Sequence, residues 1–366
     1  MNFTYYVPTK VCIGKGCVRA QAGQLGRLGR HALVMTGAAS AAQNGSLDDV
    51  LFALDQADMR HTHVGGMPPN PTFEPIRSVA EKARAAGVDC VVAVGGGSVI
   101  DAAKAVAVQV HHDVSGEELV ARHDYERVLP LAAVPTTAGT GSEVTPYSII
   151  TDEAQRTKTT LSSEAIFPRL ALLDAAYTMQ LPYEHTAATV VDALSHAVEG
   201  RLAVRATPLS SVLAQESLRQ IGACLPPLCR REELSFQQRE ALLYGSMLAG
   251  LVIAHSGTTI VHAMGYSLTV TKGVDHGRAN GLLLAGFLRY CARERPMEVH
   301  DMLRALYVHN VDELDAVLGS LLGRIRLTAD EIEVFAEKAS YSGHVKNTFP
   351  EPGKEDIARL YAEATV

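Results

Sequence analysis

The chain has 366 residues, 47% of them hydrophobic and 20% charged, with a formal net charge of −7. Those totals support a large core spread over two domains and exclude a disordered or low-complexity protein. The acidic balance, with no basic tail or cluster, excludes nucleic acid and an anionic membrane surface as partners.

Six cysteines (Cys12, Cys17, Cys90, Cys224, Cys229 and Cys291) are scattered without a C-x-x-C pair. In a chain this long that pattern excludes a disulfide framework and points to a reducing, cytoplasmic setting. The start, MNFTYYVPTKVCIGKG, has no basic residues ahead of an apolar run, so no signal peptide is expected.

The first half alternates short apolar runs with helical periods. HALVMTG (31–37) reads as a buried strand, followed by an amphipathic helix from Ser46, with Ser46 as its expected cap. RHTHVGG is a weaker strand. The segment 73–87 is a helix closed by Gly87, and VDCVVAV (88–94) is the strongest strand, central in a parallel sheet. A helix over 99–110 and a buried strand ending at Pro135 follow. SIITDEAQRTKTTL reads as a hairpin, and RLALLD (169–174) as one more strand. This alternation implies a doubly wound α/β domain. After Asp174 strand signals nearly vanish and helical periods run to the end. We therefore divide the chain into a Rossmann-like α/β dinucleotide-binding domain with a parallel sheet (1–178) and an all-α domain (179–366).

Gly95-Gly96-Gly97-Ser98 lies between the strongest strand and a helix. Open α/β sheets bind phosphates at that junction: glycines let backbone N–H groups approach, and the helix N-terminus supplies partial positive charge. Asp101, three residues after Ser98, also fits a capping box. A second polar loop, Pro135 to Glu143, carries Thr136, Thr137 and Thr140 at the end of the next strand. Gly14-Lys15-Gly16 and Gly139-Thr140-Gly141 do not complete G-x-G-x-x-G, so the ordinary dinucleotide fingerprint is absent.

In the helical half, VVDALSHAVEG puts Asp192 and His196 four apart on one helix face. His262 sits in a second apolar run, and His276 follows a glycine-bearing loop. One carboxylate and three imidazoles suit Zn(II) or Fe(II). The stretch Ala241–Thr271 has no formal charge yet holds His255 and His262, and apolar surroundings favour the neutral imidazole that ligates metal. Its glycines, hydroxyls and histidines argue for two buried helices broken near Ser256-Gly257 rather than a membrane span. His255 and Glu199 are rival ligands, seven residues from His262 and Asp192, and periodicity does not choose among them.

GGGSVIDAAK, PTTAGTGSEVTPYSIITD, LLDAAYT, VDALSHAVEG, HAMGYSL and DHGRANG occur in this order, flanked by YYVPTKVCIGKG and NTFPEPGKEDIARLYAEA. Together they resemble the iron-containing (group III) alcohol dehydrogenase family over nearly the whole chain. The resemblance implies an active site in the cleft between an α/β and a helical domain. It implies Fe(II), with Zn(II) as the alternative, held by Asp192, His196, His262 and His276. It matches Gly96, Gly97, Ser98 and Asp101 to the pyrophosphate and nicotinamide side of the cofactor site. Thr136, Thr137, Thr140 and Lys158 match the adenosine and ribose side in part. The implied reaction is metal-assisted hydride transfer between a nicotinamide and a small alcohol or aldehyde, in a homodimer.

Two departures stand out. Where many members have a second His four after the third ligand, this chain has Tyr266, a candidate proton relay. Where many NAD-using members have Asp, it has Gly37, with Ser40 nearby, so NADP(H) is expected over NAD(H). Glycerol dehydrogenase-like and dehydroquinate synthase-like enzymes share this architecture, but the Asp192/His196 pair favours the alcohol dehydrogenase branch. A metal-dependent hydrolase would not need GGGS or the threonine loop. A non-catalytic nucleotide-binding protein would show no stoichiometric metal.

Overall fold

Buried on both faces, a parallel strand reads as an unbroken apolar run, and four strands of the first half do so because they occupy the interior of one sheet. In the computed structural model, which describes residues 2–365, six parallel strands lie in the order β1-β8-β5-β4-β2-β3. They are β1 (Lys10–Ile13), β2 (His31–Thr36), β3 (Arg60–Val64), β4 (Cys90–Gly95), β5 (Leu131–Pro135) and β8 (Leu170–Leu173). Every residue of β2, β4, β5 and β8 is buried. Alternate side chains serve two cores: Leu33, Met35, Val91 and Ala93 face one, and Ala32, Val34, Val92 and Val94 the other. β6 (Tyr147–Asp152) and β7 (Thr157–Ser162) form the expected antiparallel hairpin.

β1 was not anticipated. It is a four-residue edge strand with mixed exposure, so it carries no apolar run to read. Ser46 is corrected. The helix Ser46–Gln56 is entered through Gly45, whose left-handed φ of 81° takes the cap position, and Ser46 Oγ donates to the Ala41 carbonyl instead. Gly87 closes Phe73–Ala86 in the left-handed region, as expected.

The described chain forms two compact units. One spans Tyr6–Thr137 and Gly141–Leu181; the other runs from Pro182 onward and includes the segment before Tyr6 and Ala138–Thr140. The second unit is helical. The helix Tyr183–Leu202 packs against Pro208–Gly222, Phe236–Ser256 and His276–Cys291. The uncharged stretch breaks at Gly257 (φ 66°), and the helix Phe236–Ser256 turns by 112° into Ile260–Lys272. No single described helix is long and apolar enough to cross a membrane.

Candidate metal centre and cofactor loops

Three helices of the helical unit bring the four candidate ligands together. Asp192 and His196 lie one turn apart on Tyr183–Leu202, His262 lies in the first turn of Ile260–Lys272, and His276 opens His276–Cys291. Gly277 makes the approach of the last helix possible: a Cβ there would stand 2.0 Å from the Ala188 carbonyl oxygen and 3.0 Å from Asp192 Cβ. The ligand atoms of Asp192, His196 and His262 all lie within 4.8 Å of one another, and all three residues are buried. The rings of His196 and His262 stack at 4.7 Å with their Nε2 atoms 2.9 Å apart. His276 Nε2 stands 3.9 Å from Asp192 Oδ1. A tetrahedral ion with donors at about 2.1 Å would separate them by about 3.4 Å, a spacing these distances bracket. Burial drives His196 towards its neutral form. Two imidazole nitrogens facing each other beside a carboxylate form a donor set that suits a divalent cation.

The rivals are placed elsewhere. His255 stacks on Tyr5 at 3.9 Å and is not part of the cluster. Glu199, fully buried, sits behind His262: its Oε1 lies 2.5 Å from His262 Nδ1, and its Oε2 accepts from the Thr259 N–H and hydroxyl. Burial pushes its carboxyl up to about 7, against the hydrogen bonds from Thr259.

Three residues of the site were not singled out from the sequence. Thr259 is the first. Asn280 Nδ2 donates to Asp192 Oδ1 at 3.0 Å and stands 3.2 Å from His262 Nε2 and 3.4 Å from His276 Nε2. Its place one turn after His276 was the available signal. Gly265 leaves room for this amide, since a Cβ there would fall 2.1 Å from Asn280 Oδ1. His344 had no signal, because it comes from an irregular segment near the C-terminus. Its Nδ1 lies 2.8 Å from Ser342 Oγ, and burial pushes its pKa down to about 4. Tyr266 stacks on His276 at 5.7 Å and meets the His344 ring edge-on at 6.2 Å.

In the α/β unit the chain reverses its strand order between β2 and β4, where open sheets bind ligands at the strands' carboxyl ends. Gly37 follows β2, with Ser40 exposed at the start of the short turn Ser40–Gln43. Gly96 caps the helix Gly97–Gln109, its carbonyl accepting from the Val99 and Ile100 N–H groups, while the Gly97 and Ser98 N–H groups come before any helix carbonyl that could accept them. Ser98 Oγ accepts from the Asn70 N–H. Thr137 packs against Gly96, and Thr136 is buried. Thr140 belongs to the helical unit, beside Gly139, which packs on Thr189. Lys158 lies on β7; burial raises the Asp101 pKa, and the charges of Lys104 and Lys158 act against that rise.

Asp101 is held from within. Ser142 Oγ donates to its Oδ1 and the Ile149 N–H to its Oδ2. Lys104, wholly buried, donates to Ser142 Oγ, Thr145 Oγ1 and the Tyr147 carbonyl, tying the loop after β5 to the helix of the GGGS motif. Burial lowers the Lys104 pKa to about 8 and raises that of nearby Glu143 to about 7.

Comparison with known proteins identifies the family. Residues 8–175 match the iron-containing alcohol dehydrogenase family, and 186–365 match that family's C-terminal region. A probable alcohol dehydrogenase, EutG, of Escherichia coli K12 is 34% identical over 312 residues, which cover 81% of this chain and 79% of that one. A probable NADH-dependent butanol dehydrogenase of Bacillus subtilis is 28% identical, with 98% of each chain covered. A solved iron-containing alcohol dehydrogenase of Thermotoga maritima superposes with a TM-score of 0.92 at 38% identity, over 99% of each chain. The chain belongs to the iron-containing alcohol dehydrogenase family.

Proposed function

We propose that this alcohol dehydrogenase reduces a small aldehyde, and oxidises the matching alcohol, with NADP(H) in preference to NAD(H) and with Fe(II) held by Asp192, His196, His262 and His276. Zn(II) is the alternative ion, since it outcompetes Fe(II) for such donors when supply does not decide. The observation that carries the reading is the buried cluster itself: a carboxylate and facing imidazole nitrogens, with His196 neutral. When bound, the ion supplies Lewis acidity towards the substrate oxygen.

The chain's own residues do the rest. Asn280 holds Asp192, and the ring stack of Tyr266 on His276 fixes that imidazole's plane. The first turn after Gly96 receives the pyrophosphate, and Asp101 braces that turn against Ser142. The preference for NADP(H) rests on the segment after β2: Gly37 to Ser40 has no acid to bind a ribose hydroxyl and repel a 2′-phosphate. NAD(H) is the competing reading, favoured by relatives named NADH-dependent. We further propose a cytoplasmic homodimer with no nucleic-acid or membrane partner.

The test is metal analysis of purified enzyme, then a panel of small aldehydes with NADPH and NADH, followed by cofactor absorbance. About one ion per chain and faster turnover with NADPH are expected. A clear NADH preference overturns the cofactor assignment, and full turnover after complete metal removal overturns the metal centre.

A further inference from the structure

The metal reading leaves Glu199 unused, although it is fully buried and both its oxygens are engaged beside the cluster. We propose that Glu199 is a positioning residue that fixes the tautomer of His262: its carboxylate accepts a hydrogen bond from Nδ1–H, so that Nε2 turns its lone pair towards the metal. The proposal rests on the metal reading above.

Three contacts carry it. The Thr259 N–H can only donate, so Glu199 Oε2 must accept, and the Thr259 hydroxyl adds a second bond at 2.7 Å. Those bonds hold the carboxylate with Oε1 against His262 Nδ1 at 2.5 Å. On the other edge of the ring, Asn280 Nδ2 stands 3.2 Å from Nε2. That amide nitrogen donates to Asp192; turned the other way, its oxygen would face a carboxylate oxygen. A donor facing Nε2 favours Nε2 as an acceptor, with the ring proton on Nδ1, and His196 Nε2, 2.9 Å away, then donates to it in the metal-free protein. Glu199 on one edge of His262 and Asn280 on the other thus favour the same tautomer. Carboxylates behind metal-binding histidines act in this way and raise ligand basicity.

The arrangement makes Glu199→Gln more informative than a deletion. In the variant the amide oxygen must face Thr259 N–H, because the reverse orientation would set two donors against each other in a buried site. The amide NH2 then faces His262 Nδ1, which must become an acceptor, and the proton moves to Nε2 where the metal lone pair should be.

The experiment uses Co(II), whose visible absorption reports coordination, titrated into metal-free enzyme. Wild type is expected to bind one Co(II) per chain, and Glu199→Gln to bind roughly 10- to 100-fold more weakly. Glu199→Asp, which restores a carboxylate, should recover part of the loss. Selective 15N-histidine NMR of metal-free protein reads the tautomer directly: wild-type His262, assigned by its loss in His262→Ala, should carry the proton on Nδ1, and Glu199→Gln should move it to Nε2. If Glu199→Gln does not fold, the wild-type tautomer decides alone, and a proton on Nε2 overturns the proposal. Unchanged Co(II) affinity in a folded Glu199→Gln overturns it while the metal centre stands. Failure of wild type to bind Co(II) overturns the metal centre itself.

Discussion

Each unit buries a pair of carboxylates, and the two pairs are treated differently. In the α/β unit, Asp101 and Glu143 share their surroundings with Lys104, a cation supplied by the chain and wholly buried between the GGGS helix and the threonine loop. In the helical unit, the ion-pair partners of Asp192 and Glu199 are imidazoles, and burial drives His196 neutral. A buried charge without a partner is costly, so the first cluster carries its own cation, and the proposed metal reading gives the second an imported one. The difference separates structure from chemistry: Lys104 holds a loop, while the histidines leave lone pairs for a ligand.

The sharpest way to break the comparison is to damage the second cluster. His262→Ala should cost more metal affinity than the roughly 10- to 100-fold of a change behind a ligand. Turnover should fall nearly to nothing while circular dichroism stays that of wild type. His255→Ala, which removes the stack on Tyr5 away from the cluster, should keep its metal. If His255→Ala empties the site and His262→Ala does not, the assignment is wrong.

Damage to the first cluster should appear in stability. Lys104→Met leaves Asp101 and Glu143 buried without their cation, a loss of about 3–5 kcal/mol in denaturant unfolding. Bound metal should stay at the wild-type level, and the KM for cofactor should rise as the loop loosens. A stability loss under about 1 kcal/mol would mean the network is slack. Glu143 provides a finer probe. Its folded pKa, about 7, lies above the ordinary 4.5 because of burial, so the folded chain holds a proton that the unfolded chain releases in that interval. Its contribution is complete below the unfolded value and is lost as pH rises towards 7. Glu143→Gln should therefore flatten the stability profile there, by up to about 1.4 kcal/mol per pH unit.

How far each cluster could be read from the sequence follows from where its residues lie. Asp192 and His196 show a helical spacing, the buried strands show unbroken apolar runs, and Gly257 shows the break within the uncharged stretch Ala241–Thr271. Period 2 or 3.6 reaches no further than one element. Glu199 and His262 are neighbours through packing, so the spacing that made Glu199 a rival ligand could not reveal that it stands behind His262. Lys104 carries no local signal, because its partners Ser142, Thr145 and Tyr147 come from the loop after β5 and the start of β6, some forty residues on. His344 lies in a segment with no period, and β1 is too short and too exposed to leave one.

Cofactor choice tests the α/β unit away from Lys104. Gly37→Asp places a carboxylate at the end of β2, beside the strand-order reversal. It should lower kcat/KM for NADPH by about ten-fold or more relative to NADH, through repulsion of the 2′-phosphate. An equal loss with both cofactors would mean that the segment does not meet the ribose.

The smallest expected effect concerns Tyr266, where the helical unit's cluster meets a group that is not a ligand. Its ring lies nearly parallel to His276, with a 21° interplanar angle, and edge-on to His344. A proton must leave or reach the reacting oxygen, and a phenol can pass one, although its ordinary pKa near 10 matches neutral pH less well than an imidazole's. Burial holds the His344 pKa near 4, so that imidazole is neutral at pH 7 and able to accept. Tyr266→Phe keeps the stack on His276 and removes the hydroxyl, so metal content should not change. If the phenol relays the proton, kcat should fall about ten-fold and its pH dependence should shift. Unchanged kcat and an unchanged pH profile would make Tyr266 a wall against His276, with the proton leaving through water.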